Sequence, residues 1–271
     1  ENDELFGIGS NGEYKNVRFG LFAAEDITAA NGTSIPAGGL ISEISLEEDM
    51  SAQFDTALPF GKYYVQEIAT DEHYVLNGEK YLVTFEYMGQ DIQTVDIDCG
   101  EFENIIKRGR IEGHKTDDKS EPLENAVFGL FRKDCKVFSE SNAIMTAVSD
   151  EKGYFEFGNI PYGEYVVREI KAPRGYILSN KSYPVSISED GEVIEITAEN
   201  KPITVEISKR DIYGNELKGA KMQIIDSEGN IVDEWTSDGT DHIVTKIPVG
   251  NYTLKEIAAP DGYVIAITSP S

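Results

Sequence analysis

The chain has few cysteines, few basic residues and no long apolar run, and each shortage excludes a class of protein. Two cysteines in 271 residues are too few for a disulfide framework. The 49 acidic residues outnumber the 24 basic ones, and a net charge of −25 argues against binding to nucleic acid or to an anionic membrane surface. No segment approaches the ~20 apolar residues that a bilayer span needs. With 40% hydrophobic residues, the chain nevertheless has enough apolar material to build cores.

Motifs for metal, cofactor or multiple-turnover chemistry are also missing. The histidines are scattered and lack neighbouring ligands at metal spacing; they are His73, His114 and His242. The acidic stretch at 96–104 lacks the ligand spacing of an EF-hand loop. No GxSxG, paired-cysteine or phosphate-loop motif is present. We therefore expect no metal, no cofactor and no enzyme in the usual sense.

Three internal repeats determine the domain organisation. Each has an apolar residue, Pro, any residue, Gly, a strand-like run and then Tyr; they are LPFGKYYVQEIATDEHYV (58–75), IPYGEYVVREIKAPRGYI (160–177) and IPVGNYTLKEIAAPDGYV (247–264). Short alternating segments separated by Gly-containing turns are typical of β-sandwiches, and helical periodicity is weak throughout. The sequence therefore predicts an all-β chain of three domains, at 1–109, 110–201 and 202–271.

Each repeat places a glutamate on an apolar strand face. Side chains alternate between the two faces of a strand, so Glu169 shares its face with Tyr165 and Val167. The other two repeats have the same order of aromatic, aliphatic and acidic residues: Tyr63, Val65 and Glu67, then Tyr252, Leu254 and Glu256. We expect these carboxyl groups to point into a core, where burial raises the pKa and favours the neutral acid.

In the second repeat a lysine and an asparagine also lie on apolar strand faces. Lys115 shares a face with Ile111, and Asn200 shares one with Ile196 and Ala198, so both are predicted to enter the core that holds Glu169. One interpretation is a buried Lys–Glu ion pair with an Asn hydrogen bond, although such pairs add little stability. The other is chemical, because a neutral amine is a nucleophile, an amide is an acyl donor and a neutral acid relays protons. Their reaction would form an isopeptide bond and release ammonia.

The motifs around these residues resemble those of a known family. They are YVVREIKAPRGY (165–176), YTLKEIAAPDGY (252–263), LENAVFGLF (123–131), LKGAKMQI (217–224) and AENKP (198–202). Together they resemble the B-type repeat domains of Gram-positive surface adhesins, the Cna protein B-type or SpaA-type pilin family. The resemblance implies tandem prealbumin-like (reversed immunoglobulin-like) β-sandwiches. It spans essentially the whole chain and is looser in the first repeat, where ATDEHY replaces the APxGY tail.

The resemblance also implies specific roles. Lys115 and Asn200 would be joined by a spontaneous isopeptide bond with Glu169 as the proton relay, and Glu67 and Glu256 would be its equivalents. Lys209 and Asn104 are unpaired equivalents of the two joined residues. The first repeat has Phe6 where the lysine is expected, and the chain ends eight residues after Tyr263, before a closing strand of the third repeat. We therefore expect at most one bond, in the second repeat, formed once rather than by turnover.

The function implied is structural. The resemblance suggests the stalk or shaft of a cell-wall-anchored adhesin or pilus subunit, outside the cell, with neighbouring subunits as partners. The chain starts at Glu1 and has no LPxTG-like sorting signal, so we expect its signal and anchor to lie outside this segment. The alternative is a binding module, in which loops of the first domain contact a host extracellular-matrix protein or glycan. A long irregular insert at 26–53 favours that alternative.

Overall fold

The chain is all-β, as predicted, in a computed structural model that describes residues 1–90 and 94–265. Two short 3₁₀-helices, Glu13–Asn16 and Glu140–Asn142, interrupt the strands. The strands are β1 (Arg18–Ala23), β2 (Ile27–Thr28), β3 (Ser34–Ile35), β4 (Leu40–Ser45), β5 (Gly61–Ala69), β6 (Tyr81–Phe85), β7 (Arg108–Asp117), β8 (Val127–Arg132), β9 (Met145–Val148), β10 (Tyr154–Pro161), β11 (Gly163–Lys171), β12 (Ser182–Ile187), β13 (Val193–Asn200), β14 (Thr204–Ile207), β15 (Lys218–Asp226), β16 (Ile231–Asp238), β17 (His242–Thr245) and β18 (Tyr252–Ala258).

The backbone forms two compact units. One contains 1–111 with 158–165 and 185–194, and the other contains 112–157, 166–184 and the described chain from 195 onward. The second repeat contributes residues to both units. The domain boundaries near 109 and 201 come from the sequence repeats and stay a prediction.

The first repeat contains a four-stranded sheet with the order β4-β1-β5-β6. Its core face is lined by apolar side chains that include Phe19, Leu21 and Tyr63. The expectation of an irregular insert at 26–53 is wrong in part, because β2 pairs with β3 and β4 pairs with β1 along most of its length. Ile41 and Ile44 of β4 are three residues apart, and a register shift between Leu21 and Phe22 of β1 allows both to pack against the core.

The second repeat has two sheets, as a sandwich requires. The first is three-stranded with the order β10-β7-β13, and the second is four-stranded with the order β12-β11-β8-β9. The rings of Phe128, on β8, and Phe155, on β10, stack with centroids 3.9 Å apart. Gly113 on β7 makes room for this pair, because a Cβ there would lie 2.0 Å from the Phe155 ring.

The third repeat has fewer paired strands in the described part of the chain. Its sheets are β14-β17 and β16-β15-β18. The predicted core face is therefore only partly covered: Val205 is 37% exposed and Leu254 is 50% exposed. The expectation that the face of Tyr252, Leu254 and Glu256 points into a core is wrong at Leu254, because in 1–90 and 94–265 the third repeat has no strands equivalent to β12 and β13.

The cysteines and the membrane-span criterion were also considered in the sequence. Cys99 and Cys135 are both free, so no disulfide joins them. Over residues 1–90 and 94–265, no helix is long and apolar enough to cross a membrane.

Candidate crosslink site

Lys115 is held in the core of the second repeat by its own strand. It lies near the end of β7, where alternate residues are buried, and it is 1% exposed. Its backbone N–H donates to the Gly153 carbonyl at 2.7 Å, and its carbonyl accepts from the Leu123 N–H at 2.9 Å. Gly153 has φ +75°, and a Cβ there would lie 2.2 Å from the Lys115 carbonyl oxygen. A glycine at 153 is thus required for the backbone that fixes the lysine.

The Lys115 amine is buried without an acidic partner. Nζ donates to the carbonyl of Thr116 at 3.1 Å and to the carbonyl of Ala198, on β13, at 3.3 Å. Among the described residues no carboxylate lies within ion-pair distance of Nζ. Burial lowers the pKa of Lys115 from 10.5 to about 8, against the attraction of Glu169, Glu199 and Asp117. Burial therefore raises the share of the neutral, nucleophilic amine relative to that of an exposed lysine.

Glu169 and Asn200 form a hydrogen-bonded pair in the same core. Glu169 is 3% exposed on β11, and Asn200 is 2% exposed at the end of β13. Asn200 Nδ2 donates to Glu169 Oε2 at 2.8 Å, and the Ser179 N–H donates to the same oxygen at 2.9 Å. Burial raises the pKa of Glu169, offset in part by the Asn200 and Ser179 hydrogen bonds and by Lys115.

Two buried oxygens of this pair have no donor. Oε1 of Glu169 and Oδ1 of Asn200 accept no hydrogen bond from any residue in the described ranges. An unpaired buried acceptor costs about 1–3 kcal/mol, so the arrangement favours a proton on the Glu169 carboxyl, which would turn an acceptor into a donor. The simple ion-pair interpretation is not borne out, because Asn200 bonds to Glu169 but Lys115 does not pair with it.

The second repeat therefore brings together the three side chains selected from the sequence. Asn200 lies two residues beyond Ala198 on the same face of β13, and the carbonyl of Ala198 receives the Lys115 amine. Residues two apart on one strand face are ~6.6 Å apart along the strand. An amine, an amide and a carboxyl group biased toward its neutral form thus share one water-poor core. The roles assigned to them stay predictions.

The first repeat has the same acid–amide pair without the lysine. Glu67 is 2% exposed, and Asn104 Nδ2 lies 2.8 and 3.0 Å from its two carboxyl oxygens. The Asn77 N–H, ten residues after Glu67, donates to Oε2 at 2.7 Å, as Ser179 does ten residues after Glu169. Burial raises the pKa of Glu67, offset by Asn77 and Asn104. The expected lysine position holds Phe6, which packs against Ile8, Tyr74 and Ile106.

Thr70 is a polar neighbour of this pair that the sequence reasoning missed. Asn104 Nδ2 also donates to Thr70 Oγ1 at 2.9 Å. A signal was available, because the position three residues after each repeat glutamate holds Thr70 in the first repeat but Ala172 and Ala259 in the others.

The third repeat has the lysine and the glutamate, and no asparagine bonds to them in the part of the repeat that the structure describes. Lys209 Nζ lies 3.1 Å from Glu256 Oε2, with the two side chains 28% and 16% exposed. This is a half-solvated ion pair, unlike the dry arrangement around Lys115. The greater exposure follows from the shorter sheets of this repeat.

The three histidines, which the sequence did not favour as metal ligands, are exposed or bonded to a neighbouring aspartate. His114 is exposed, as expected for the face of β7 opposite Lys115. His242 stacks on Trp235 with ring centroids 4.0 Å apart and contacts Asp233. His73 bonds to Asp71. No group of three or more potential metal ligands occurs in the part of the chain that the structure describes.

Family comparison supports the tandem-domain arrangement. The model of the SpaA prealbumin-like fold domain matches three segments of the chain, at 9–98, 109–202 and 203–269. The three matches follow the three sequence repeats and together cover nearly the whole chain.

Individual relatives give a consistent picture. The chain is 30% identical over 139 residues to the trypsin-resistant surface T6 protein of Streptococcus pyogenes serotype M6, covering 48% of this chain and 25% of that protein. It is 30% identical over 112 residues to a collagen adhesin of Staphylococcus aureus, covering 40% of this chain and 9% of the adhesin. Among solved structures, the Bacillus anthracis TIE protein aligns over 95% of this chain and 44% of its own, with a TM-score of 0.54 and 25% identity. The chain therefore spans a quarter or less of the two sequence relatives.

Proposed function

The chain belongs to the family of SpaA prealbumin-like fold domains, and on that premise we propose that it is a shaft segment of a Gram-positive surface adhesin or pilus, strengthened by a Lys115–Asn200 isopeptide bond. The observation that carries the proposal is the buried amine, amide and acid of the second repeat, held by β7, β13 and β11. The relatives named as a surface protein and an adhesin support an extracellular, cell-surface location.

The proposed reaction uses only these three side chains. The neutral Nζ of Lys115 attacks Cγ of Asn200, a C–N bond forms, and the bond from Cγ to Nδ2 breaks. Glu169 passes a proton from the attacking nitrogen to Nδ2, which leaves as ammonia. Oriented groups held in place can gain on the order of 7–11 kcal/mol relative to free reactants, and a dry core strengthens the acid's interactions. The protein is changed once and does not turn over.

The bond would reroute mechanical load through the second repeat. β7 is its first strand and β13 its last, and the two are neighbours in one sheet. Force entering at β7 would pass through the crosslink and leave at residue 200. The chain from 116 to 199 would carry no tension, so the domain could not be pulled open.

A covalent map tests the bond at residue level. The intact chain is denatured and digested, and the fragments are sequenced by tandem mass spectrometry. We expect a branched fragment that joins Lys115 to Asn200, lighter than its two parts by one ammonia. The Glu169→Gln variant keeps the shape of the site but cannot relay a proton, so we expect two separate linear fragments. Linear fragments from the unmodified chain would rule the bond out.

Single-molecule stretching tests the shaft role. Without the bond, unfolding of the second repeat would release the chain from 116 to 199, about 290 Å at full extension. We expect the unmodified chain to lack that step and the Lys115→Ala variant to show it. A step of that length in the unmodified chain would contradict a load-bearing crosslink.

The alternative, a matrix- or glycan-binding role for the first domain, remains a separate hypothesis. The collagen-adhesin relative motivates it, but only 9% of that protein is matched. The first repeat has a pocket of about 240 Å³ lined by residues that include Ile27, Ile35 and Leu58. This volume is below the ~300–1,000 Å³ of typical ligand pockets, and its apolar lining does not suit a glycan. Binding of the intact chain to immobilised collagen or glycans would support this role.

A further inference from the structure

The first repeat contains a second set of groups that could react, and it differs from the set in the second repeat. Glu67, Asn104 and Thr70 are joined through one atom, Asn104 Nδ2, which lies 2.8–3.0 Å from both Glu67 oxygens and from Thr70 Oγ1. The acid and amide match Glu169 and Asn200, including the backbone donor ten residues after the glutamate. The nucleophile is what differs.

A repeat has either the core lysine or a threonine three residues after its glutamate, and none has both. The second and third repeats have Lys115 and Lys209 and carry alanine three residues after the glutamate. The first repeat has Phe6 at the lysine position and carries Thr70 three residues after the glutamate. Within residues 1–90 and 94–265, the repeat whose hydroxyl contacts the amide is the repeat that lacks the amine.

The distances allow a reaction after a small movement. A 2.9 Å contact between Oγ1 and Nδ2 places Oγ1 at most about 4.2 Å from Cγ of Asn104, since the amide C–N bond is ~1.33 Å. Reacting atoms in near-attack geometries are ~3–3.5 Å apart. A side-chain rotation that brings Thr70 Oγ1 about 1 Å closer to Cγ of Asn104 is therefore sufficient. Glu67, 2% exposed and in contact with the nitrogen that would leave, is placed to carry the proton.

We propose that Thr70 and Asn104 form an ester crosslink in the first repeat, with Glu67 as the catalytic acid–base. Thr70 Oγ1 attacks Cγ of Asn104, a C–O bond forms, and the bond from Cγ to Nδ2 breaks. The hydroxyl proton passes through Glu67 to Nδ2, which departs as ammonia. The ester ties the end of β5 to residue 104 and closes the loop 70–104.

The Lys115→Ala chain isolates this reaction from the one in the second repeat. We expect that chain, denatured, to be one ammonia lighter than its sequence, and the added Thr70→Val substitution to abolish the deficit. Valine has the shape of threonine without its hydroxyl, so folding is preserved. Thr84→Val, at an exposed hydroxyl on β6, should leave the deficit in place. Hydroxylamine attacks esters and leaves isopeptides intact, so we expect it to convert Asn104 into a hydroxamate, whereas a succinimide at Asn77–Gly78 would react at Asn77.

Each possible outcome has one meaning. A Lys115→Ala chain with the mass of its plain sequence overturns the ester. A deficit that survives Thr70→Val also overturns it, and indicates ring closure at an Asn–Gly pair such as Asn77–Gly78. The isopeptide is tested separately, because the Thr70→Val single variant should still lack one ammonia through Lys115. The two proposals can therefore fail independently.

Discussion

Replacing Lys115 with methionine gives a change in stability whose sign depends on the crosslink. Methionine fills a similar volume without an amine, so Lys115→Met removes both the bond and the buried polar group. With the bond, the loop 115–200 is closed in the unfolded chain, and the loop-entropy relation for a crosslink of that length gives about 4.6 kcal/mol of stabilisation. Loss of that amount would lower the melting temperature of a domain of this size by roughly 20–35 °C.

Without the bond, the same substitution acts in the opposite direction. The pKa of Lys115 falls from 10.5 to about 8, a shift equivalent to about 3 kcal/mol against keeping the amine charged at neutral pH. A buried lysine without a carboxylate partner therefore lowers the free energy of unfolding, and methionine removes that penalty. Replacing buried charges by apolar residues is often neutral or stabilising by ~1–4 kcal/mol.

Differential scanning calorimetry of the full chain measures the outcome. We expect the transition of the second repeat to fall steeply in Lys115→Met and to stay within ~4 °C in Lys171→Met, a matched change at an exposed lysine of the same repeat. An unchanged or higher transition in Lys115→Met would refute the reasoning, because only a free amine gives that sign.

Three smaller predictions follow from the same geometry. In Asn200→Ala the free amine remains, so urea unfolding should show stability rising between pH 8 and 10.5, where the unfolded chain holds a proton that the folded chain has lost; a flat profile would contradict the lowered pKa. Gly113→Ala should cost about 1–3 kcal/mol in thermal unfolding, because its Cβ would meet the Phe155 ring, whereas Gly78→Ala has open space and should cost almost nothing. Lys209→Ala should cost less than ~1 kcal/mol, since its ion pair with Glu256 is partly exposed, and a larger loss would indicate a buried role.

The sequence was sufficient for the buried site because side chains alternate strictly along β7, β11 and β13. The burial predicted for Lys115, Glu169 and Asn200 is confirmed. The same alternation failed for Leu254, since periodicity gives the face of a strand but not whether other strands cover that face.

Two features required three-dimensional placement. The pairing of β4 with β1 joins residues 18 to 27 positions apart, which the local pattern does not reveal. The contact of Thr70 with Asn104 joins residues 34 apart, and only comparison of the three repeats at that position draws attention to it. The direction of the Lys115 and Glu169 pKa shifts followed from burial alone, but the absence of an ion pair between them did not.

The intact mass of the denatured Thr70→Val chain tests the central claim most directly, because that substitution leaves the Lys115–Asn200 bond as the one crosslink that this account assigns. The account predicts a chain one ammonia lighter than its sequence, and a chain of full sequence mass once Glu169→Gln is added. A Thr70→Val chain with the full sequence mass would contradict it.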